Sequence, residues 1–437
     1  MKKTILVLLG MLMVGLPLFA GGRSDQQSTA TRGGGGAKTT VTYWHIFPEG
    51  DAFKPVHDEL IRRFNASQDE VYVEDLGISF FDYLSKIDTA LPAGTGPDVG
   101  FNGLDDSQRR AEAGAIVNLN KYIAADNLDM TQYYQFARDN VTYDRGIYGL
   151  PFAWGGRLLV YNKQMFREAG LDPNAPPKTL RELEQYSDKL TKIGSNGQIQ
   201  VLGFHPSLGN SSILSFVISR GGDFFDKNQR PTINGAINLQ ALEWFVNMTN
   251  RHGAKQVQSL QAASNTTGID PFLAGFVAME VNVADFYKKL SESNIDFGLA
   301  PIPTPDSSTR GSWAGGFDLE IINHNNEARA QAAWKFIKFM TSEESQLYWA
   351  VENKWPTANQ RALENYSGFK TDPNWKIIVD EMPYAYTTPF VPKASGWLGL
   401  LTPEVEAAQL ELKTPRQALN DAQAAIELEI RNYEDMH

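Results

Sequence analysis

Tyr148-Gly-Leu-Pro-Phe-Ala-Trp-Gly-Gly-Arg-Leu-Leu-Val-Tyr-Asn-Lys163 is the stretch from which the rest of the chain is read. It opens on the punctuation of Gly149, Pro151, Gly155 and Gly156. The run Leu158-Leu159-Val160 follows, short, apolar and β-prone, as buried strands are. A short helix then runs to Gly170, where it stops. Beyond Pro176-Pro177, Thr179-x-x-Glu182 forms a capping box, and Leu183, Tyr186, Leu190 and Ile193 share one face of the helix it starts. On spacing alone the punctuated segment is either a hinge between two lobes or an ordinary strand-to-helix connection in one large domain.

The same residues carry a resemblance. Tyr148-Gly-Leu-Pro-Phe152, Arg157-x-x-x-Tyr161-Asn162-Lys163, Ala169-Gly-Leu-Asp-Pro173 and Pro176-Pro-Lys-Thr179 resemble the family 1 extracellular solute-binding proteins of bacterial ABC importers. That family binds maltose, multiple sugars and glycerol phosphate. Pro97-Asp98-Val99, Phe272 to Glu280, Trp313-Ala-Gly-Gly316-Phe-Asp318 and Ala332 to Glu344 are similar to it as well, so the resemblance runs from about residue 40 to about 432. It implies a two-lobed α/β periplasmic-binding-protein fold of type II, each lobe a mostly parallel sheet flanked by helices. Three interlobe crossings would lie near 150–156, 298–303 and 352–357. Lobe 1 would comprise 39–152 with 302–353, and lobe 2 would comprise 153–301 with 354–437.

Composition agrees with a large globular chain. The 437 residues suffice for two cores, and 42% hydrophobic with 21% charged residues is ordinary for such proteins. A net charge of −11 argues against nucleic acid and anionic membrane surfaces as partners. Met1-Lys-Lys3, an apolar run from Ile5 to Phe19 and the small-residue end Leu18-Phe-Ala20 read as a signal peptide over residues 1–20. Residues 21–38, with Gly33-Gly-Gly-Gly36, read as a flexible linker. The glycine run has neither the preceding strand nor the following Lys-Ser/Thr of a phosphate cradle. Gly21 follows the cleavage point and the chain has no cysteine, which excludes disulfides, thiolate metal sites and a lipid-bearing cysteine. The expectation is a cleaved, unanchored periplasmic monomer.

Along the mature chain, Thr39 to Trp44 and Val71 to Val73 read as strands. Helices begin at Asp51 and span Phe81 to Leu91, and this alternation means a parallel α/β sheet. Leu239 to Asn250 and Glu327 to Met340 read as amphipathic helices. Thr341-x-x-Glu344 should cap the next one. Thr414-Pro-Arg-Gln417 starts a last helix marked by Leu419, Ala422, Ile426 and Ile430.

No nucleophile elbow or His-Glu-x-x-His occurs, and the six histidines are scattered without metal spacing, so no metal or cofactor is expected. A glycoside hydrolase needs only two carboxylates, which 51 acidic residues always supply, so a secreted carbohydrate-active enzyme stays as the alternative. A sugar binder needs aromatic faces for the C–H side of a ring and polar groups for its hydroxyls. Ligands of open α/β sheets gather beyond the carboxyl ends of strands. Trp44 and His45 at the first strand's end and Asp105 beyond the third are therefore candidates. Further on come Trp154, Arg157, Asn210 and Asp285, the last standing with Phe286 where many members of the family have a tryptophan. Trp313, Gly316, Asp318 and Trp355 complete the crossings. By resemblance Trp397 lies on an irregular segment folded over the cleft; the competing reading puts it in a core and makes Asp318 a turn-capping carboxylate. Carboxylates around a single Arg157 favour a neutral sugar or oligosaccharide over a glycerol-phosphate-type ester. The resemblance supplies the remaining partner, the membrane permease subunits of an ABC importer.

Overall fold

The computed structural model describes residues 38–103 and 106–436. The expected signal peptide, the expected linker up to residue 37 and the candidate Asp105 lie outside the described residues. The strands are β1 (Thr39–His45), β2 (Val71–Gly77), β3 (Val99–Gly103), β4 (Thr142–Tyr143), β5 (Gly146–Ile147) and β6 (Leu150–Asn162). They continue with β7 (Lys192–Ile193), β8 (Ile199–Gly209), β9 (Val277–Val283), β10 (Phe297–Ala300), β11 (Ser312–Ile321) and β12 (Ala385–Tyr386). Among the described residues one sheet runs β2-β1-β3-β11-β6-β9-β8-β7, with β10 also on β6 and β12 on β11, while β4 and β5 form a separate hairpin.

The decisive stretch is a strand rather than a loop. All thirteen residues of β6 are buried. Its first part, Leu150 and Phe152, enters a core with Val41, Tyr43, Phe101 and Trp349. Its second part splits by the two-residue side-chain period of a strand. Leu159 and Tyr161 join a core with Phe204, Phe216, Leu242 and Ile426, and Leu158 and Val160 face a third with Tyr287, Leu290 and Trp375. Cover on both faces explains why Leu158-Leu159-Val160 reads as a continuous apolar run.

The sheet is mixed, which corrects the expectation of mostly parallel strands. β1 pairs parallel with β2 and β3, and β8 parallel with β9. β11 runs antiparallel to both β3 and β6, and β6 antiparallel to β9 and β10. The reason is direction of travel. β6 leaves the first core for the others, and β11 returns the opposite way beside it. Between β10 and β11 the chain still touches the side it came from: Thr304 O accepts from Leu180 N at 3.0 Å, and Thr309 Oγ1 donates to Ser219 O at 3.1 Å. The segment after helix Glu343–Asn353 passes alongside β6, where Trp154 N donates to Pro356 O at 3.1 Å and Ala358 N to Phe152 O at 3.0 Å.

Helix starts follow local chemistry. Thr179 and Glu182 make the reciprocal capping box. Helix Glu343–Asn353 is capped by Ser342, not Thr341. The Thr341 hydroxyl instead donates to Ile337 O of the preceding turn, so the adjacent serine takes the cap.

Candidate functional site

A cavity of about 320 Å³ opens where the middles of β6 and β11 meet the segments beyond the carboxyl ends of β1, β8 and β9. One wall is aromatic. Trp355 lies 4.8 Å from Phe53, 6.3 Å from Phe47 and 5.8 Å from Phe317, centroid to centroid. Phe317 in turn meets Phe80 edge-on at 6.3 Å. The other groups are polar: Asp51, Arg157, Asn210 and Asp285. Glycines between the walls bring backbone close. A Cβ on Gly155 would lie 2.9 Å from Ala284 Cβ, and one on Gly316 would lie 2.3 Å from Trp154 Cδ2, so neither position has room for a side chain.

Arg157, buried on β6, organises the polar wall. Its Nε and Nη2 donate to Asn210 O and Oδ1, both at 2.9 Å, and its Nη1 donates to Trp313 O at 3.0 Å. The guanidinium carbon lies 3.3 Å from the centroid of the Trp313 ring. One side chain thus ties the end of β8 to β11. Asp285, just past β9, is half-buried, and burial pushes its carboxyl up to about 6. Asp51 accepts from Phe53 N at 2.8 Å, which closes the turn carrying Phe53.

The turn bearing Phe47 is held from below by His45. The fully buried imidazole accepts from Phe47 N through Nδ1 at 3.2 Å. That contact makes Nε2 the protonated nitrogen, which donates to Asp75 Oδ2 at 3.1 Å. His45 stands 4.2 Å from His57, centroid to centroid. Burial, first, and then His45 hold His57 well below the ordinary histidine value. A Cβ on Gly77 would fall 2.1 Å from Phe47 O, so β2 must present glycine there.

Of the candidates from sequence, Arg157, Asn210, Asp285, Gly316 and Trp355 line the cavity. Trp313 stacks behind Arg157, and His45 supports the wall without reaching it. Trp44 lies aside, with Lys86 Nζ 4.4 Å over its ring. Other candidates are placed elsewhere than expected. Trp397 is not on an irregular segment: it begins helix Trp397–Gln409 and packs in a core, 5.1 Å from Phe224 and 5.4 Å from Phe225. Asp318 is fully buried and turned from the cavity, because Phe317 takes the cavity face of β11 and the two-residue alternation of a strand puts its neighbour on the opposite one. It accepts from Trp154 Nε1 at 3.0 Å and Asn140 Nδ2 at 2.8 Å, which also keeps Trp154 out of the cavity. Phe47, Asp51, Phe53, Phe80 and Phe317 were missed. The first three follow directly on Trp44-His45, so the strand-end argument could have reached them. Phe80 stands in the same relation to β2.

A family model described as bacterial extracellular solute-binding protein matches residues 59–376. The chain belongs to this family. Among solute-binding proteins, the maltotriose-binding protein of Pyrococcus abyssi is 27% identical over 345 residues, 77% of this chain and 70% of that one. The sn-glycerol-3-phosphate-binding periplasmic protein UgpB of Yersinia pestis is 21% identical over 444 residues, 91% and 94% of the two chains. A solved structure of CpMnBP1 with mannotriose bound superposes with a TM-score of 0.78 at 27% identity, covering 89% of this chain and 100% of that one. The fold of this solute-binding protein is therefore α/β, of the type II periplasmic sugar-binding architecture.

Proposed function

We propose that this solute-binding protein captures a neutral sugar or oligosaccharide in the β6–β11 cavity and delivers it to the permease subunits of an ABC importer. The observation that carries the reading is the pairing of walls: Phe47, Phe53, Phe317 and Trp355 on one side, Arg157, Asn210, Asp51 and Asp285 around the rest. Aromatic faces cover the C–H side of a sugar ring, while carboxylates, amide and guanidinium serve its hydroxyls. The maltotriose-binding relative and the mannotriose-bound neighbour support it. The likeness to UgpB favours a glycerol-phosphate ester instead, but two carboxylates beside one arginine would repel a dianion.

The binding role, without catalysis, rests on relatives named as binding proteins. The division into lobes 39–152 with 302–353 and 153–301 with 354–437 stands as part of this proposal, with closure about the cavity on binding. So do export through residues 1–20, a soluble periplasmic form without a lipid anchor, and a monomeric state. A thermal-shift screen tests the reading with mannose, mannobiose, mannotriose, glucose, maltose, maltotriose and sn-glycerol 3-phosphate, beside a turnover assay on the oligosaccharides. A stabilising shift with a sugar and no hydrolysis is expected. A shift with glycerol 3-phosphate alone, or release of monosaccharide, would reject it.

A further inference from the structure

Phe81 is 81% exposed, the most exposed of the large hydrophobic side chains among the described residues. Leu412 and Met436 come next at 75% and 73%, but they belong to the C-terminal segments. Phe81 is different in its neighbour: it follows Phe80, a cavity-lining residue, at the start of helix Phe80–Ala93. The two rings meet edge-on, 5.2 Å apart at 73°. Phe80 meets Phe317, and Phe317 meets Trp355, at 6.3 and 5.8 Å. Trp355, Phe317, Phe80 and Phe81 therefore form an unbroken aromatic rail from the cavity interior to solvent. Polar groups accompany its outer end. Asp82 is exposed beside Phe81 and accepts from Ser79 Oγ at 2.5 Å, which leaves a carboxylate further acceptor positions.

We infer that the solute is a chain of more than one linked sugar ring, whose inner ring fills the cavity and whose outer ring lies on Phe81. The inference rests on the sugar reading above and names the ligand's extent. A ligand confined to the cavity would leave the last plate of the rail in water. A linked second ring would cover it, with its hydroxyls within reach of Asp82. The rail also sets the expected dependence on length: each added ring gains an aromatic face until Phe81 is covered, and none beyond it.

Calorimetric titration of the full chain tests this with mannose, mannobiose and mannotriose, and with glucose, maltose and maltotriose. The variants are Phe81→Ala and Phe81→Tyr. In the series that binds, affinity should rise from the monosaccharide to the longer members. Phe81→Ala should remove roughly three- to tenfold of that rise and leave the monosaccharide unaffected. Phe81→Tyr, which keeps the ring, should retain the rise. A monosaccharide bound as tightly as its trisaccharide, or full affinity for the longer members in Phe81→Ala, overturns the inference and leaves the sugar reading standing. Failure of every member of both series to bind overturns both.

Discussion

The Trp154 indole donates to the Asp318 carboxyl across 3.0 Å, on the side of the crossing strands away from the cavity. Around that bond lies a buried polar network. Asn140 Nδ2 donates to Asp318 Oδ2 at 2.8 Å, and Ser107 Oγ contacts both Asp318, at 3.3 Å, and Glu320. Glu320 is held by Arg110, with Nε–Oε2 at 2.8 Å, and by Asn102 Nδ2 at 2.6 Å. One hydroxyl hydrogen cannot serve two carboxylates. The network closes when Asp318 keeps a proton and donates a hydrogen bond to Ser107 Oγ, while Ser107 donates to the Glu320 carboxyl that Arg110 holds.

That protonation makes stability depend on pH. Burial, with Glu320 alongside, pushes Asp318 up to about 8. Burial beside Asp270 pushes Glu280 up to about 8. Between the ordinary carboxylate range and pH 8 the folded chain holds protons that the unfolded chain has released, so stability falls as pH rises through that window and levels off above it. Melting temperature should decline from pH 5.5 to pH 8.5 (the range of an ordinary buffer series), and Asp318→Asn should flatten the decline. A wild-type curve without slope there would contradict the assignment. Asp318→Ala, which strands the Trp154 and Asn140 donors, should cost about 1–3 kcal/mol.

Arg157 carries the polar wall through its fork. Arg157→Lys keeps the charge but cannot donate to Asn210 O, Asn210 Oδ1 and Trp313 O together. Loss of charged hydrogen bonds of this kind costs roughly 1.5–3 kcal/mol, so affinity for the sugar that binds should fall at least tenfold. Calorimetry on the variant checks this, and undiminished affinity would mean that Asn210 needs no such anchor.

His45 acts on the cavity through Phe47. Asparagine at 45 can accept from the amide two residues on, in the manner of an Asx turn, whereas alanine cannot. Amide exchange at Phe47 should quicken in His45→Ala and stay slow in His45→Asn. Equal exchange in the two variants would show that the imidazole acceptor does not hold the turn.

Gly316 tolerates no side chain. A Cβ there meets Trp154 Cδ2 at 2.3 Å and the backbone oxygen of Ala153 at 2.5 Å, and the backbone cannot swing aside. Gly316→Ala should lose about 1–3 kcal/mol of stability, as overpacked positions do. Urea unfolding measures it, and a midpoint equal to wild type would show that the strands relax freely.

Much of the architecture was legible because its signals are local. Helix Glu327–Met340 has the limits read from its periodicity, and Thr179 with Glu182 caps as their spacing implied. Arg157, Asp285 and Gly316 were reachable by combining strand ends with resemblance. Asp318 was not: alternation sets Phe317 and Asp318 on opposite faces of β11, but which face meets the cavity is decided by how β11 packs between β3 and β6, which the local sequence does not mark. Trp397 failed for a related reason. The stretch before it, rich in proline and glycine, conceals a helix start whose first residue faces inward to Phe224 and Phe225.

The shared strands also govern when this chain can fold. β6 is complete by Asn162, but β11, which lies between it and β3, comes only at Ser312–Ile321. The first core therefore lacks its central strand until most of the polypeptide exists, and pairings between such distant segments form slowly. For a chain exported as proposed, that delay is an advantage in transit: the leading portion cannot lock into a finished body on the wrong side of the membrane.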